Sequence, residues 1–590
     1  MKKTTHNDSY DTVYHSINDG INKDVLHLIT SGSSINGNTI PINGKELINF
    51  QTYSYLGLDQ HPKLIEGCID VTRKYGTQWG SSVAYIKSDI HKEYETLLGE
   101  IFGAPTTIAA STTIAHGAVM PVLMSKDDVV LLDQQVHSSV QQTAKMLKAV
   151  GVTVELVRHN SLEGVEAKIN QYKSSKRKIW YLVDGVYSMY GDIAPLKALK
   201  QLTDEYEQFY LYVDDAHGMS WKGKNGCGVC INEIGLSEKI VLITSLNKAF
   251  CAAGGAIIIK DKEMFDKIMV SGPTLIFCTP VPLPMVGAGI ASAKLHLSGG
   301  INPLQQKLES NIDRFQTLCN AHGLPLASSD ATPIQYIATG SPKVGYDMLD
   351  RIMKDGYISG LGLFPAVNTN RTGLRVCLNS KQSFDDIDGF IESVSKNLPE
   401  SLAINGKTIS RIRRDFKLPS YVSVKKSETT NIKVEYQNSI KNIDRKAWDS
   451  MLGRNGSFDY NGLLFMENSF SNQEEEHNNW TFHYLIAWEG KIPVAATFFT
   501  ASLVKDDLFN SADKSLEIET DRLLNKYHLC TKVLSMGSMF SEGNHLYIDK
   551  SHSNWRIAVT KIIEKAEDIK EAENCKNLLL RDFEPNIDLQ

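Results

Sequence analysis

The strongest constraint on this chain is a unit that recurs between Leu47 and Leu398: a short apolar or β-branched run, then at once a polar or charged residue, then a helical stretch. Strand-like runs read at Thr107–Ala109, Val129–Leu132, Thr153–Val157, Ile179–Val183, Phe209–Val213, Ile240–Ile243 and Ala256–Ile259. Short strands alternating with helices build βαβ units, which give an α/β fold with a mostly parallel sheet covered by helices on both faces. In such sheets ligands collect beyond the carboxyl ends of the strands. The residues that follow each run are therefore the ones to read for chemistry.

After Ile108-Ala109-Ala110 come Ser111, Thr112 and Thr113, opening a helix that carries His116. Hydroxyls and free N–H groups at a helix start suit a phosphate, and a plain N-cap is the simpler alternative. Val129–Leu132 is followed by Asp133 and His137, and Ile179–Val183 by Asp184, Ser188 and the stretch Gly191-Asp-Ile-Ala-Pro-Leu196. Phe209–Val213 leads into Asp214-Asp215-Ala216-His217. Ile240–Ile243 leads to Ser245 and to Lys248, a lone charge before a small-residue tract ending in Gly254-Gly255. An amine in apolar company deprotonates readily and can then attack a carbonyl to form a Schiff base. A lysine that snorkels to solvent is the alternative. Each of these residues alone reads as structural; together, at successive strand ends, they form a constellation.

Composition narrows the classes. A net charge of -6 and an isoelectric point near 6.3 argue against nucleic acid or anionic membrane as a general partner. No apolar run approaches the roughly 18 residues of a membrane span, and Met1-Lys-Lys-Thr is followed by no signal-peptide core. Nine scattered cysteines, an odd number, suit reduced thiols of the cytoplasm better than a disulfide framework. Cys227-Gly-Val-Cys230 has the spacing of a metal or redox pair, but it stands among glycines with no second pair nearby, and reads as a loop.

The ordered set resembles the α-oxoamine synthases, pyridoxal-phosphate enzymes of aminotransferase class I/II fold that include aminooxononanoate synthase and serine palmitoyltransferase. The pieces that carry the resemblance are Tyr55-Leu-Gly-Leu58 with His61-Pro62, His91 with Glu95, Asp184 to Leu196, Asp214 to His217, Asn247-Lys248-Ala-Phe250, Phe277-Cys-Thr279, and Leu374-Arg375-Val376 with Asp385 to Asp388. The resemblance implies fold type I, with a mixed, mostly parallel sheet sandwiched by helices. It also implies that Lys248 holds the cofactor and moves the substrate α-proton, and that Asp214 pairs with the ring nitrogen. By the same carry-over His217 bonds the ring oxygen, His137 stacks on the ring, and Asp184 and Ser188 line the pocket. Thr112, Thr113, Ser245 and a neighbouring subunit's Thr279 match the phosphate contacts, and Arg375 matches the grip on the amino-acid carboxylate. Thr112 and Thr113 depart from the family's Gly-aromatic pair. A cup completed by a neighbour implies a homodimer. No metal is implied.

The reaction implied is a decarboxylative condensation of a small amino acid with an acyl thioester, carried by coenzyme A or an acyl carrier protein, to an α-aminoketone. An aminotransferase or aldol-type lyase on the same fold is a second reading, since fold alone does not decide function. A non-catalytic regulatory subunit is a third. Trp79, Tyr85 and Lys87, in the segment from Gly76 to His91, alter the bulk at what the family uses as a substrate entrance.

By this reading residues 1–45 are an N-terminal arm, with a helix from Tyr10 to Ile29. Residues 46–398 are the synthase-like region, with a large domain over about 60–290 and a small one over about 291–398. Residues 399–431 read as a linker holding an Arg-rich turn, Arg411 to Arg414, and 432–590 as an α+β domain. In that last part a strand at Ile432 to Tyr436, a helix at Asp444 to Leu452 and a hairpin around Glu489-Gly490-Lys491 are followed by a helix from Asn554 to Ala572 and a strand at Asn577–Arg581. The order loosely resembles a Gcn5-related or FemAB-like acyltransferase, without the glycine-rich turn that cradles an acyl-CoA pyrophosphate. If active, such a domain would acylate the amine that the first region makes; a degenerate acyltransferase serving docking or dimer stabilisation is the alternative.

Overall fold

Each apolar run of the synthase-like region forms a strand in the structure, a computed structural model that describes residues 6–31, 37–418, 432–507, 512–552 and 554–582. The chain divides into two units, residues 1–421 and 422–590. In the first, β1 (Thr39–Ile42) and β2 (Lys45–Phe50) precede β3 (Thr106–Ala109), β4 (Val129–Asp133), β5 (Thr153–Val157), β6 (Ile179–Asp184), β7 (Phe209–Asp214), β8 (Ile240–Ser245) and β9 (Gly255–Ile259). After them come β10 (Ile334–Ala338), β11 (Tyr357–Gly362) and β12 (Gly373–Cys377).

The main sheet has the order β3-β9-β8-β7-β6-β4-β5. Its pairs are parallel except the two that β9 makes, so every strand but β9 runs one way. Strands β4, β6 and β8 are buried along their whole length, as a sheet covered on both faces requires. Val129 and Leu131 of β4 enter one core while Val130 and Leu132 enter the other, the period-two alternation of a strand. Burying a side chain of this size contributes about 1.5–3 kcal/mol.

The second sheet of this unit has the order β1-β2-β11-β12-β10. Residues 39–50 thus join the small-domain sheet: β2 pairs parallel with β11 through Ile48 and Tyr357, and the Phe50 ring lies 4.4 Å from that of Phe390. Three differences from the sequence reading have local causes. The N-terminal helix spans His6–Ile21 rather than Tyr10 to Ile29, and the chain then turns at Asp24 and His27, both in the left-handed region. The helix Phe384–Ile404 continues through Pro399 into the expected linker, because Asn397, Leu398, Ser401 and Leu402 on it are buried. Arg411 to Arg414 lie on a helix, Ile409–Asp415, whose Ile412 is buried, and not in a turn. Of the expected linker, residues 419–431 lie outside the described residues.

The second unit holds β13 (Ile432–Gln437), β14 (Thr481–Glu489), β15 (Ile492–Lys505), β16 (Cys530–Met536), β17 (Leu546–Ile548) and β18 (Asn577–Leu579). The order is β13-β14-β15-β16-β18, with β17 on β15. All pairs are antiparallel except β16–β18. Gly490, at φ 64°, and Lys491 close the β14–β15 hairpin. The helix Trp555–Ala572 covers one core and the residues around Trp448 and Leu463 build the other. Among the described residues no helix is long and apolar enough to cross a membrane.

Candidate active site

The strand ends of the main sheet converge on a cavity lined by Thr112, Thr113, His137, Asp184, Asp214, His217 and Lys248, together with Ser139, Val186 and Ala216. Local hydrogen bonds explain why each residue arrives there. Asp133, ending β4, accepts the Gln135 N–H at 2.8 Å, which turns the chain toward His137. The His137 N–H donates to Asp184 Oδ1 at 3.0 Å, and its Nδ1 accepts from Ser139 N–H at 3.3 Å at the start of the helix Ser138–Ala149. Ser111 caps the helix Thr112–Leu123 by accepting the Ile114 N–H, which leaves the first N–H groups of that helix without an internal acceptor. The loop that carries Lys248 is closed by Asn247 Oδ1, which accepts the Gly254 N–H at 2.7 Å. Gly254 has φ 110°, a conformation that favours glycine.

Asp184 and Asp214 are register partners at the ends of β6 and β7, and their surroundings push them apart. Burial and the neighbouring Asp214 raise Asp184 well above the ordinary carboxylate range. Burial alone would raise Asp214 too, but the hydrogen bond and charge of His116, then the charges of Lys248 and His137, outweigh it and hold Asp214 low. Oδ2 of Asp214 accepts from His116 Nε2 at 3.0 Å, and His116 Nδ1 meets the Tyr212 hydroxyl at 2.7 Å. Burial pushes the Lys248 ammonium down, against the pull of Asp214 and Asp184. Burial lowers His137 as well, and burial with the charges of Lys248, Arg375 and His137 pushes His217 well below its ordinary value. The cavity therefore joins an ionised carboxylate, an amine that gives up its proton easily, and two neutral imidazoles.

The remaining residues read from the sequence lie beside this cavity or away from it. Ser245 ends β8, buried, with its hydroxyl accepting the Asn247 N–H at 3.3 Å. Arg375 on β12 donates from Nε to the Ser188 carbonyl at 2.6 Å, so the small-domain sheet reaches the loop after β6. Thr279 is exposed in the loop after Ile276 and does not line the cavity of its own chain. Cys227 and Cys230 are buried, and the Cys230 N–H donates to Asp215 Oδ2 at 3.0 Å. The brace from His116 to Asp214 was missed in the sequence, although His116 stands one helical turn after Thr112 and so on the same face. Also missed was a second cluster. His159, following β5, meets Asp133 Oδ1 at 2.8 Å and Asp192 Oδ2 at 2.7 Å, which fastens the loops after β4, β5 and β6 to one another.

The donor set fits pyridoxal phosphate. Thr112 and Thr113 offer hydroxyls and helix-start N–H groups to a phosphate, Asp214 offers an ionised carboxylate to a protonated ring nitrogen, and Lys248 offers an amine to an aldehyde. The start of β9 is shaped for this: a Cβ on Gly255 would stand 2.7 Å from the Thr112 backbone.

Comparison with known proteins agrees. The aminotransferase class I and II family matches residues 45–393. An 8-amino-7-oxononanoate synthase of Saccharophagus degradans is 30% identical over 360 residues, 60% of this chain and 88% of that protein. Among solved structures, the Sphingomonas wittichii serine palmitoyltransferase superposes with a TM-score of 0.62 at 19% identity, over 68% of this chain and 99% of that one, a likeness of fold. The 8-amino-7-oxononanoate synthase of Francisella tularensis superposes with a TM-score of 0.50 at 25% identity, over 60% of this chain and 98% of that one. The chain belongs to the aminotransferase class I and II family, and within it to the α-oxoamine synthases, pyridoxal-phosphate-dependent acyltransferases.

Proposed function

We propose that this chain condenses a small amino acid with an acyl thioester, carried by coenzyme A or an acyl carrier protein, releasing carbon dioxide and an α-aminoketone. The observation that carries the reading is the meeting of Lys248, Asp214, His217 and His137 at one cavity, delivered by the ends of β4, β7 and β8. Pyridoxal phosphate, when bound, supplies the electron sink that lets an amino-acid α-carbon lose a proton. Lys248 Nζ, whose affinity for a proton burial lowers, takes that proton and returns it. Asp214, braced by His116 and held low by it, would hold a proton at the ring nitrogen. His217 would donate to the ring oxygen and His137 would form one wall. Arg375 binds the amino-acid carboxylate with a fork that a lysine lacks.

Thr112, Thr113 and Ser245 would serve the phosphate, and Asp184 and Ser188 would line the pocket of the ring. Thr279, exposed and outside its own cavity, serves the cavity of a second copy, so the working form is a homodimer. Nine free thiols fit a reducing cytoplasm. An α-deuterated amino acid tests the proton transfer. The native protein is expected to exchange the label with water, and Lys248→Ala to retain it; retention by both removes the reading.

The second unit is read as an acyltransferase for the amine so made. Its antiparallel strands ending in the parallel pair β16–β18, with the helix Trp555–Ala572 against the sheet, support this. Mass spectrometry of the full-length protein's products decides: an N-acylated aminoketone supports it and a free aminoketone removes it.

A further inference from the structure

Tyr55 has no role so far, although it is fully buried and touches the machinery. Its hydroxyl lies 2.7 Å from Nδ1 of His217. Arg375 and Cys377 also act on it: burial raises the phenol, the Cys377 thiol adds to that, and the Arg375 guanidinium opposes it. A guanidinium carries donors and no acceptor, so the tyrosyl proton cannot be shared with Arg375 and its charge turns that proton away. The Cys377 sulfur is already engaged by Arg375 at 3.0 Å. Nδ1 of His217 is the acceptor left for the Tyr55 proton, and a neutral imidazole whose Nδ1 accepts carries its own proton on Nε2.

The parts of this chain of donors are fixed from outside. Arg375 Nε is held by the Ser188 carbonyl at 2.6 Å, the Tyr55 carbonyl accepts the Ser380 N–H at 2.8 Å, and the His217 carbonyl accepts the Trp221 indole N–H at 2.7 Å. Besides Tyr55, the charges that act on His217 are those of Lys248, Arg375 and His137, all of which oppose an imidazolium; Asp184 and Asp214 line the same cavity, where Asp214 is taken up by His116 and Asp184 by the His137 N–H.

We propose that Tyr55 is a positioning residue that locks His217 in its Nε2-protonated tautomer, with Arg375 orienting the tyrosyl hydroxyl, so that His217 always offers the cavity a donor. The proposal rests on the reading that the cavity holds pyridoxal phosphate, and on the tautomer of His217 independently of it. The test compares native protein, Tyr55→Phe, His217→Gln and the double variant, each full length. In 15N-histidine spectra taken without cofactor, the signal lost in His217→Gln is expected to show Nε2–H in native protein and mixed tautomers in Tyr55→Phe. In cofactor-loaded protein, Tyr55→Phe is expected to shift the pH midpoint of the visible absorbance by about half a unit or more, and to add nothing in the His217→Gln background. Unchanged nitrogen shifts and an unchanged midpoint in Tyr55→Phe overturn the proposal. A native protein that takes up pyridoxal phosphate with no visible band overturns the cofactor reading instead, and the nitrogen shifts then still decide the tautomer.

Discussion

Lys248 reaches its cavity partly buried, under the pull of two carboxylates and pushed by burial toward the free amine. Replacing it by alanine is expected to abolish the visible band of the loaded protein and to lower turnover by about 10³-fold or more, with the thermal midpoint close to native. A retained band would place the cofactor link elsewhere. His159 makes a different kind of prediction. Burial opposes its charge, but the hydrogen bonds to Asp133 and Asp192 outweigh burial and lift it to about 9. A folded value above the unfolded one, roughly 6.5, means the stabilisation is complete below about pH 6.5 and fades as pH rises through about 9. His159→Asn should therefore lose stability on the order of 3 kcal/mol at pH 6 and much less at pH 9.5. Denaturant titrations at both pH values check this, and equal losses would contradict it.

At the scale of elements, the cavity depends on how closely β9 passes the helix Thr112–Leu123. A Cβ at Gly255 would stand 2.7 Å from the Cα and N of Thr112, which are backbone atoms and cannot rotate aside. Gly255→Ala is expected to displace the helix start, costing about 1–3 kcal/mol and weakening pyridoxal phosphate binding roughly tenfold by fluorescence titration. Native affinity would show that this approach does not shape the phosphate end. The strands of the main sheet were legible because β4, β6 and β8 are continuous apolar runs that end abruptly in Asp133, Asp184 and Ser245. The small sheet was not, because β2 finds β11 across some three hundred residues and no local pattern encodes that pairing. The linker read from residue 399 starts later in the structure for a related reason, since tertiary burial of its neighbours lets the helix run through Pro399. His159 was invisible because its partners come from two other loops.

For the whole molecule, the two units imply two responses to ligand. Saturating pyridoxal phosphate should raise the unfolding temperature of one calorimetric transition and leave the other in place, since only a folded state that binds is stabilised; a single transition that moves as one would contradict this. In the second unit the β14–β15 hairpin and the helix Trp555–Ala572 were legible from turn chemistry and apolar spacing. What this unit does was not legible, because among its described residues no strand-end constellation like that around Lys248 stands out. The central claim concerns the first unit, and the stoichiometry of the reaction tests it most directly. With pyridoxal phosphate, an acyl thioester and a panel of small amino acids, the purified protein should release carbon dioxide and free thiol in equal amounts, and only when both substrates are present. Transfer of the amino group to a keto acid, with neither carbon dioxide nor thiol released, would contradict it.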